Sequence, residues 1–206
     1  AFKFKDDGPS ISRNATPMVT VTVDDSDLAT NASASFAALF TPQFNADGQA
    51  ASNPVTYALG VKSPGVDSGL VDTLTGNHIL LRMNGAAVEG YLENSTSTLA
   101  FTISVVGDTV TLDQKRAVVH NDPADPDEAG ASAAAFATAD LVTLTATIKD
   151  GDGDTNTAVA SIADAFKFKD DGPSISRNAT PMVTVTVDDS DLATNASASF
   201  AALFTP

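Results

Sequence analysis

The chain has 206 residues, no cysteine, no tryptophan, a formal net charge of −15 and a mean hydropathy of +0.03. Disulfides and thiolate metal sites are therefore excluded, and an acid excess of this size repels nucleic acid and anionic membrane surfaces. No apolar run approaches the length that spans a membrane, and no signal-peptide pattern opens the sequence.

Residues 1–42 return without a change as residues 165–206, which makes the chain a slice of a tandem array with a period of 164 residues. Long identical repeats build length from stacked modules more readily than they carry separate active sites. The expected neighbours are thus other repeats of the same chain, with no obligate oligomer, no nucleic acid and no membrane insertion. Phe168-Lys-Asp-Asp-Gly-Pro-Ser174, between one strand and the first strand of the next period, reads as a short linker that can be stiffened, as does its first copy with Asp6-Asp7-Gly8-Pro9. Residues 1–16 are expected to be the end of a preceding repeat and its linker. Residues 17–173 are expected to form one sandwich, and residues 174–206, a copy of 10–42, to start the following repeat.

Val19, Val21 and Val23 alternate with Thr20 and Thr22, the period-two sign of a half-buried strand, and an acidic turn with Asp24, Asp25 and Asp27 follows. A turn at Ala46-Asp-Gly48 leads to a second alternating set, Val55, Tyr57, Leu59 and Val61. Strands are expected at 78–83 and 87–92 around the turn Asn84-Gly85. Leu99, Phe101, Ile103 and Val105 form the next, returning through Gly107-Asp108 to 109–113 and then 115–120. A second acidic run, Asp122 to Glu128 with Asp125 and Asp127, precedes an alanine-rich stretch at 128–139 that reads equally as helix or loop. Val142, Leu144, Ala146 and Ile148, interleaved with threonines, make the clearest strand. It turns at Gly151-Asp-Gly153 into a last one at 155–163. Eight or more short strands with tight turns predict an all-β fold, an antiparallel immunoglobulin-like β-sandwich.

One period holds 18 aspartates against 3 glutamates. Solubility alone would be served by either acid, so the bias points to turns and to oxygen ligands for hard cations. Asp150-Gly-Asp-Gly-Asp154 is the sharpest chemical motif, because aspartates at i, i+2 and i+4 in a glycine-rich loop can converge three carboxylates on a calcium ion. It is not an EF-hand, since Thr155 stands where that loop has its glycine and Ser161 where it has a bidentate glutamate. The alternative is a solvated acidic hairpin turn. In an immunoglobulin-like sandwich this loop lies at the pole where the chain enters, so Asp6 and Asp7 are expected beside it. Asp170 and Asp171 would serve the next repeat in the same way. Asp24, Asp25, Asp27, Asp122, Asp125 and Asp127 are weaker metal candidates, for which exposed acidic turns are at least as good an account.

His78 and His120 lie in strand-like stretches without visible partners, which suits structural or surface roles better than catalysis or zinc. No nucleophile elbow and no phosphate-binding glycine loop followed by lysine occurs, so no enzyme is expected.

The stretch from Leu141 through Asp150-Gly-Asp-Gly-Asp-Thr155, followed by Phe168-Lys-Asp-Asp-Gly-Pro173, resembles the repeat modules of giant RTX adhesins, which Gram-negative bacteria export by type I secretion. Ser68 to Asn77, and Ala117 to Asp122 with Asp125 to Glu128, are similar to patterns in the same repeats. The resemblance implies an extracellular β-sandwich extender that calcium rigidifies and that holds an adhesive domain away from the cell, in biofilm formation or surface attachment. It implies calcium ligands at Asp150, Asp152 and Asp154, and at Asp6, Asp7, Asp170 and Asp171. The rival expectation is a module that binds carbohydrate or a surface polymer by avidity. The scarcity of aromatic platforms, with Tyr57 and Tyr91 the sole tyrosines, counts against sugar stacking.

Overall fold

A computed structural model describes residues 1–3, 7–15, 19–122, 125, 128, 130–170, 172, 175–179 and 183–205. The chain divides into two compact units, Ala1–Asp171 and Gly172–Pro206. The first unit is all-β and sandwich-like, and no α-helix occurs among the described residues.

Its strands begin with β1 (Ser10–Arg13), β2 (Val21–Asp24), β3 (Ala32–Ser35), β4 (Phe40–Gln43) and β5 (Val55–Val61). A meander follows: β6 (Val66–Val71), β7 (His78–Asn84), β8 (Ala87–Leu92), β9 (Ser95–Val106) and β10 (Thr109–Gln114). The unit closes with β11 (Ala134–Ala135), β12 (Val142–Lys149), β13 (Thr155–Ser161) and β14 (Phe166–Lys169). The meander and β3 build a six-stranded sheet in the order β3-β10-β9-β8-β7-β6. Smaller ladders, β13-β12-β5, β11-β14-β2 and β1-β4, complete the unit.

The alternation that defines these strands is also what buries them. Val142, Leu144, Ala146 and Ile148 of β12 are fully buried while the threonines between them are only partly so. Phe101 on β9 meets Phe168 on β14 at a ring-centroid distance of 5.5 Å and Phe136 at 5.6 Å, so the large sheet and the β14 ladder share one aromatic core. Gly90 on β8 is required there: a Cβ would fall 2.4 Å from the Phe101 ring, which lies flat against the backbone.

The sequence leaves the alanine-rich stretch open between helix and loop, and it places a strand at 115–120. The alanine-rich stretch is a loop carrying β11, held extended because Ala134 and Ala135 pair with β14 and Phe136 plugs the core. Residues 115–120 form no strand beyond a single bridge, Asp72 to Val118. Lys115 and Arg116 both donate to the Ala100 carbonyl instead, turning the chain so that Arg116 reaches Asp72. Within the first unit β1 pairs antiparallel with β4, from Ser10–Gln43 to Arg13–Phe40.

The second unit is an internal control for what is local and what is tertiary. Its β15 (Ser176–Arg177) and β16 (Phe204–Thr205) reproduce the register of β1 on β4, shifted by one period. Asn178 repeats the bonds of Asn14, accepting from Thr205 as Asn14 does from Thr41 and donating to the Ala202 carbonyl as Asn14 does to Ala38. The copies of β2 and β3, at 185–188 and 196–199, are not strands. In the first unit those strands exist because β14 and β10 pair with them, so the valine–threonine alternation alone does not make a strand.

Two ion pairs, Arg116 with Asp72 and Arg82 with Glu89, contribute to the acid response of the first unit. Asp72 is buried, and burial pushes its carboxyl up. The two bonds from Arg116, at 2.7 and 3.0 Å, and those from Thr75 outweigh burial, so it titrates below the ordinary range. Glu89 is also lowered, by Asn84 first and by Arg82, against burial. Carboxyls depressed by folding contribute stability that is present above their unfolded pKa and lost as pH falls through the folded one. The urea-unfolding free energy should therefore decline from about pH 4 downward, and Asp72→Asn should flatten that decline. An unchanged slope in the variant would refute the assignment.

Candidate functional site

Two clusters with acidic side chains stand out, one on the loop between β12 and β13 and one at the end of β14. The first is the β12–β13 hairpin. Its backbone closes through Asp150 N–H to the Asp154 carbonyl at 3.0 Å, and Oδ1 of Asp150 accepts the N–H groups of Gly153 (3.1 Å) and Asp154 (2.8 Å). These bonds wrap the loop around Asp150, which is 1% exposed. Its other oxygen, Oδ2, is buried without a hydrogen-bond partner. Asp150, Asp152 and Asp154 each bring a carboxylate oxygen within 4.8 Å of the other two.

The loop is pinned from the side by residues 47–49. Asp150 bridges to Gln49, and Gly151 N–H donates to the Gly48 carbonyl at 3.1 Å. Only glycine allows this approach, since a Cβ at 151 would lie 2.3 Å from the Asp47 carbonyl oxygen. The incoming chain also passes here. A Cβ on Gly8 would sit 3.8 Å from Asp154 Oδ2, and Asn156 and Asn45 donate to the carbonyls of Pro9 and Gly8. The sequence marks Asp47 and Gly48 as a turn and Gly8 as linker, but it does not show that the segment 47–49 packs on this loop. The contribution of these residues is backbone, which side-chain spacing cannot reveal. Asp7 is exposed next to Gly8 and is not one of the three clustered carboxylates. Asp6 lies outside the described residues.

The second cluster forms where β2 and β14 end. They pair in parallel with Lys169 opposite Asp24, so the next residue on each strand, Asp25 and Asp170, emerge side by side. His120 joins them, and a ligand atom of each of the three lies within 4.8 Å of the others. Burial pushes the Asp25 carboxyl up and the neighbouring Asp170 adds to this, against Gln114, His120 and the Val118 N–H, which favour the charge. Glu128 accepts from His120 Nδ1 at 3.2 Å and takes the Asp122 N–H on its other oxygen.

The remaining candidates are spread out. Asp24 and Asp27 close turns: Asp24 Oδ1 accepts from both the Ser26 hydroxyl and N–H, and Asp27 from Ala29 N–H and the Thr30 hydroxyl. The Ser26 bonds and Lys169 hold the Asp24 carboxyl down at about 2. Asp188 and Asp191 make the same turns in the second unit, so these are local capping devices. Asp125 accepts from Ser132 at 2.8 Å, and Asp122 is exposed. Neither belongs to a clustered group among the described residues. Asp127 and Asp171 lie outside the described residues.

Fold and site together define an all-β, sandwich-like domain whose acidic residues gather at loop ends. The chain belongs to the DUF5801 family, described as a domain of unknown function, which matches it over residues 20–163. No curated protein and no solved structure matches it.

Proposed function

We propose that this domain is a non-enzymatic extender repeat of a large extracellular bacterial adhesin, exported by type I secretion, in which calcium at acidic loops and linkers stiffens the array. The observation that carries the reading is Asp150: a buried carboxylate with one oxygen unpartnered, flanked by Asp152 and Asp154, on the loop against which Gly8 of the linker packs. The donors are hard oxygens on a glycine-containing loop, the chemistry calcium prefers, with six to eight oxygens at relaxed geometry. Asp150, Asp152 and Asp154 would hold the ion, the linker aspartates, Asp7 among them, would add to the shell, and water would complete it. Without a cation three carboxylates this close repel one another. With one, the loop and the linker beside it become a single stiff element.

The mechanism is mechanical. Each repeat contributes one sandwich of length, and calcium, scarce inside a cell and abundant outside, would couple stiffening to export. The test is small-angle scattering and calorimetry on a chain of several repeats. With millimolar calcium it should become longer and melt higher than in EDTA. Identical scattering and melting curves in the two buffers would sink the reading.

A further inference from the structure

The second cluster is not built like the first. His120 has a side chain only 5% exposed, and its Nε2 is buried with no hydrogen-bond partner, 3.6 Å from Asp25 Oδ2. Glu128, itself 5% exposed, sits on Nδ1 at 3.2 Å, which fixes the ring with Nε2 facing Asp25 and Asp170. Asp25 is held in turn, with Oδ1 bonded by the Gln114 amide and Oδ2 by the Val118 N–H at 3.1 Å. Gln114 is anchored from behind by the Arg116 carbonyl at 3.1 Å. Asp170 donates its N–H to the Glu128 carbonyl at 3.1 Å, tying the last ligand to the residue that orients the first. A cleft of about 420 Å³, lined by Asp25, His120, Asp170 and Thr73, gives access from solvent.

We propose that His120 Nε2, Asp25 Oδ2 and a carboxylate oxygen of Asp170 form a second cation site, one that takes a divalent d-block ion of zinc's class, with Glu128 as its positioning residue. Imidazole is a donor for such ions and not for calcium, which seeks six or more oxygens. A carboxylate bonded to the far nitrogen of a ligating histidine is the usual outer-shell support of these ions. Ligands at about 2.0–2.2 Å from a tetrahedral zinc lie roughly 3.3–3.6 Å from one another, which the His120–Asp25 separation matches. Three protein ligands leave the fourth position for water. The inference does not depend on calcium at the Asp150 loop.

The chain's two histidines make the test direct. His78 is exposed and bonded to Asp67 at 2.8 Å, and so serves as an internal control. The metal-stripped 206-residue chain would be titrated with zinc alone, following both imidazoles by long-range proton–nitrogen correlation. One equivalent should move His120 Nε2 in slow exchange and leave His78 unmoved, and cobalt should give the visible absorption of a four-coordinate ion. Glu128→Gln should weaken zinc binding about 10–100-fold. Asp150→Asn should leave zinc binding intact, which separates this site from the calcium reading. An unmoved His120, joint drift of both histidines only at large excess (an adventitious ion only), or an equal response to calcium would each overturn the proposal.

Discussion

Replacing Asp150 by asparagine is expected to change stability with opposite signs in EDTA and in calcium. Asparagine keeps Oδ1, which accepts the Gly153 and Asp154 N–H groups, and so preserves the hairpin. It removes the charge whose second oxygen is buried without a partner. In EDTA the variant should therefore melt at or above the wild-type temperature, since an uncompensated buried charge is costly. In calcium the order should reverse. An ion at a hundred times its dissociation constant stabilises the folded state by about 2.7 kcal/mol, and for a domain of this size that raises Tm by about 5–10 °C. The variant should lose most of that rise. A calcium shift of full size in Asp150→Asn would show that the ion binds elsewhere. A variant less stable in EDTA would show that Asp150 serves the fold and not a cation.

What could be read in advance follows from how far apart the cooperating residues are. β5 and β12 show in the sequence because each alternates over six or more residues, and β7, β8 and β13 because recognisable turns bracket them. The Asp150 loop shows for the same reason, as its three carboxylates lie within five residues. β3 does not, because Ala32-Ser-Ala-Ser35 has no large apolar residue, and it becomes a strand only through its ladder with β10. The Asp25–His120–Asp170 cluster was out of reach. It rests on a parallel pairing between strands at opposite ends of the first unit, and parallel pairing leaves no local turn signal. His120 looked unpartnered in sequence because its partners lie far along the chain or, like Glu128, within an acidic run that reads as solvated.

β14 is the case with the largest consequence, and the repeat itself supplies the experiment. Phe-Lys-Phe-Lys at 166–169 reads as the approach to a linker, and its first copy at the start of the chain reads identically. The first residue of the two copies differs sharply: Phe166 is fully buried and Phe2 is 99% exposed. Phe166 packs edge-to-face on Phe136 at 5.9 Å, on the strand that pairs with both β2 and β11. Truncating a buried phenylalanine costs about 3–5 kcal/mol, so Phe166→Ala should lower Tm by about 6–20 °C. Phe2→Ala, the same change in the same local sequence, should stay within about 0.5 kcal/mol of wild type. The contrast isolates tertiary burial from propensity, because local sequence is held constant. It also marks the last strand of the first unit, since β14 is followed by Asp170, whose N–H is bonded to the Glu128 carbonyl. Equal losses from the two substitutions would mean that the first copy is also packed into a core, and the strand would then not mark the end of a repeat.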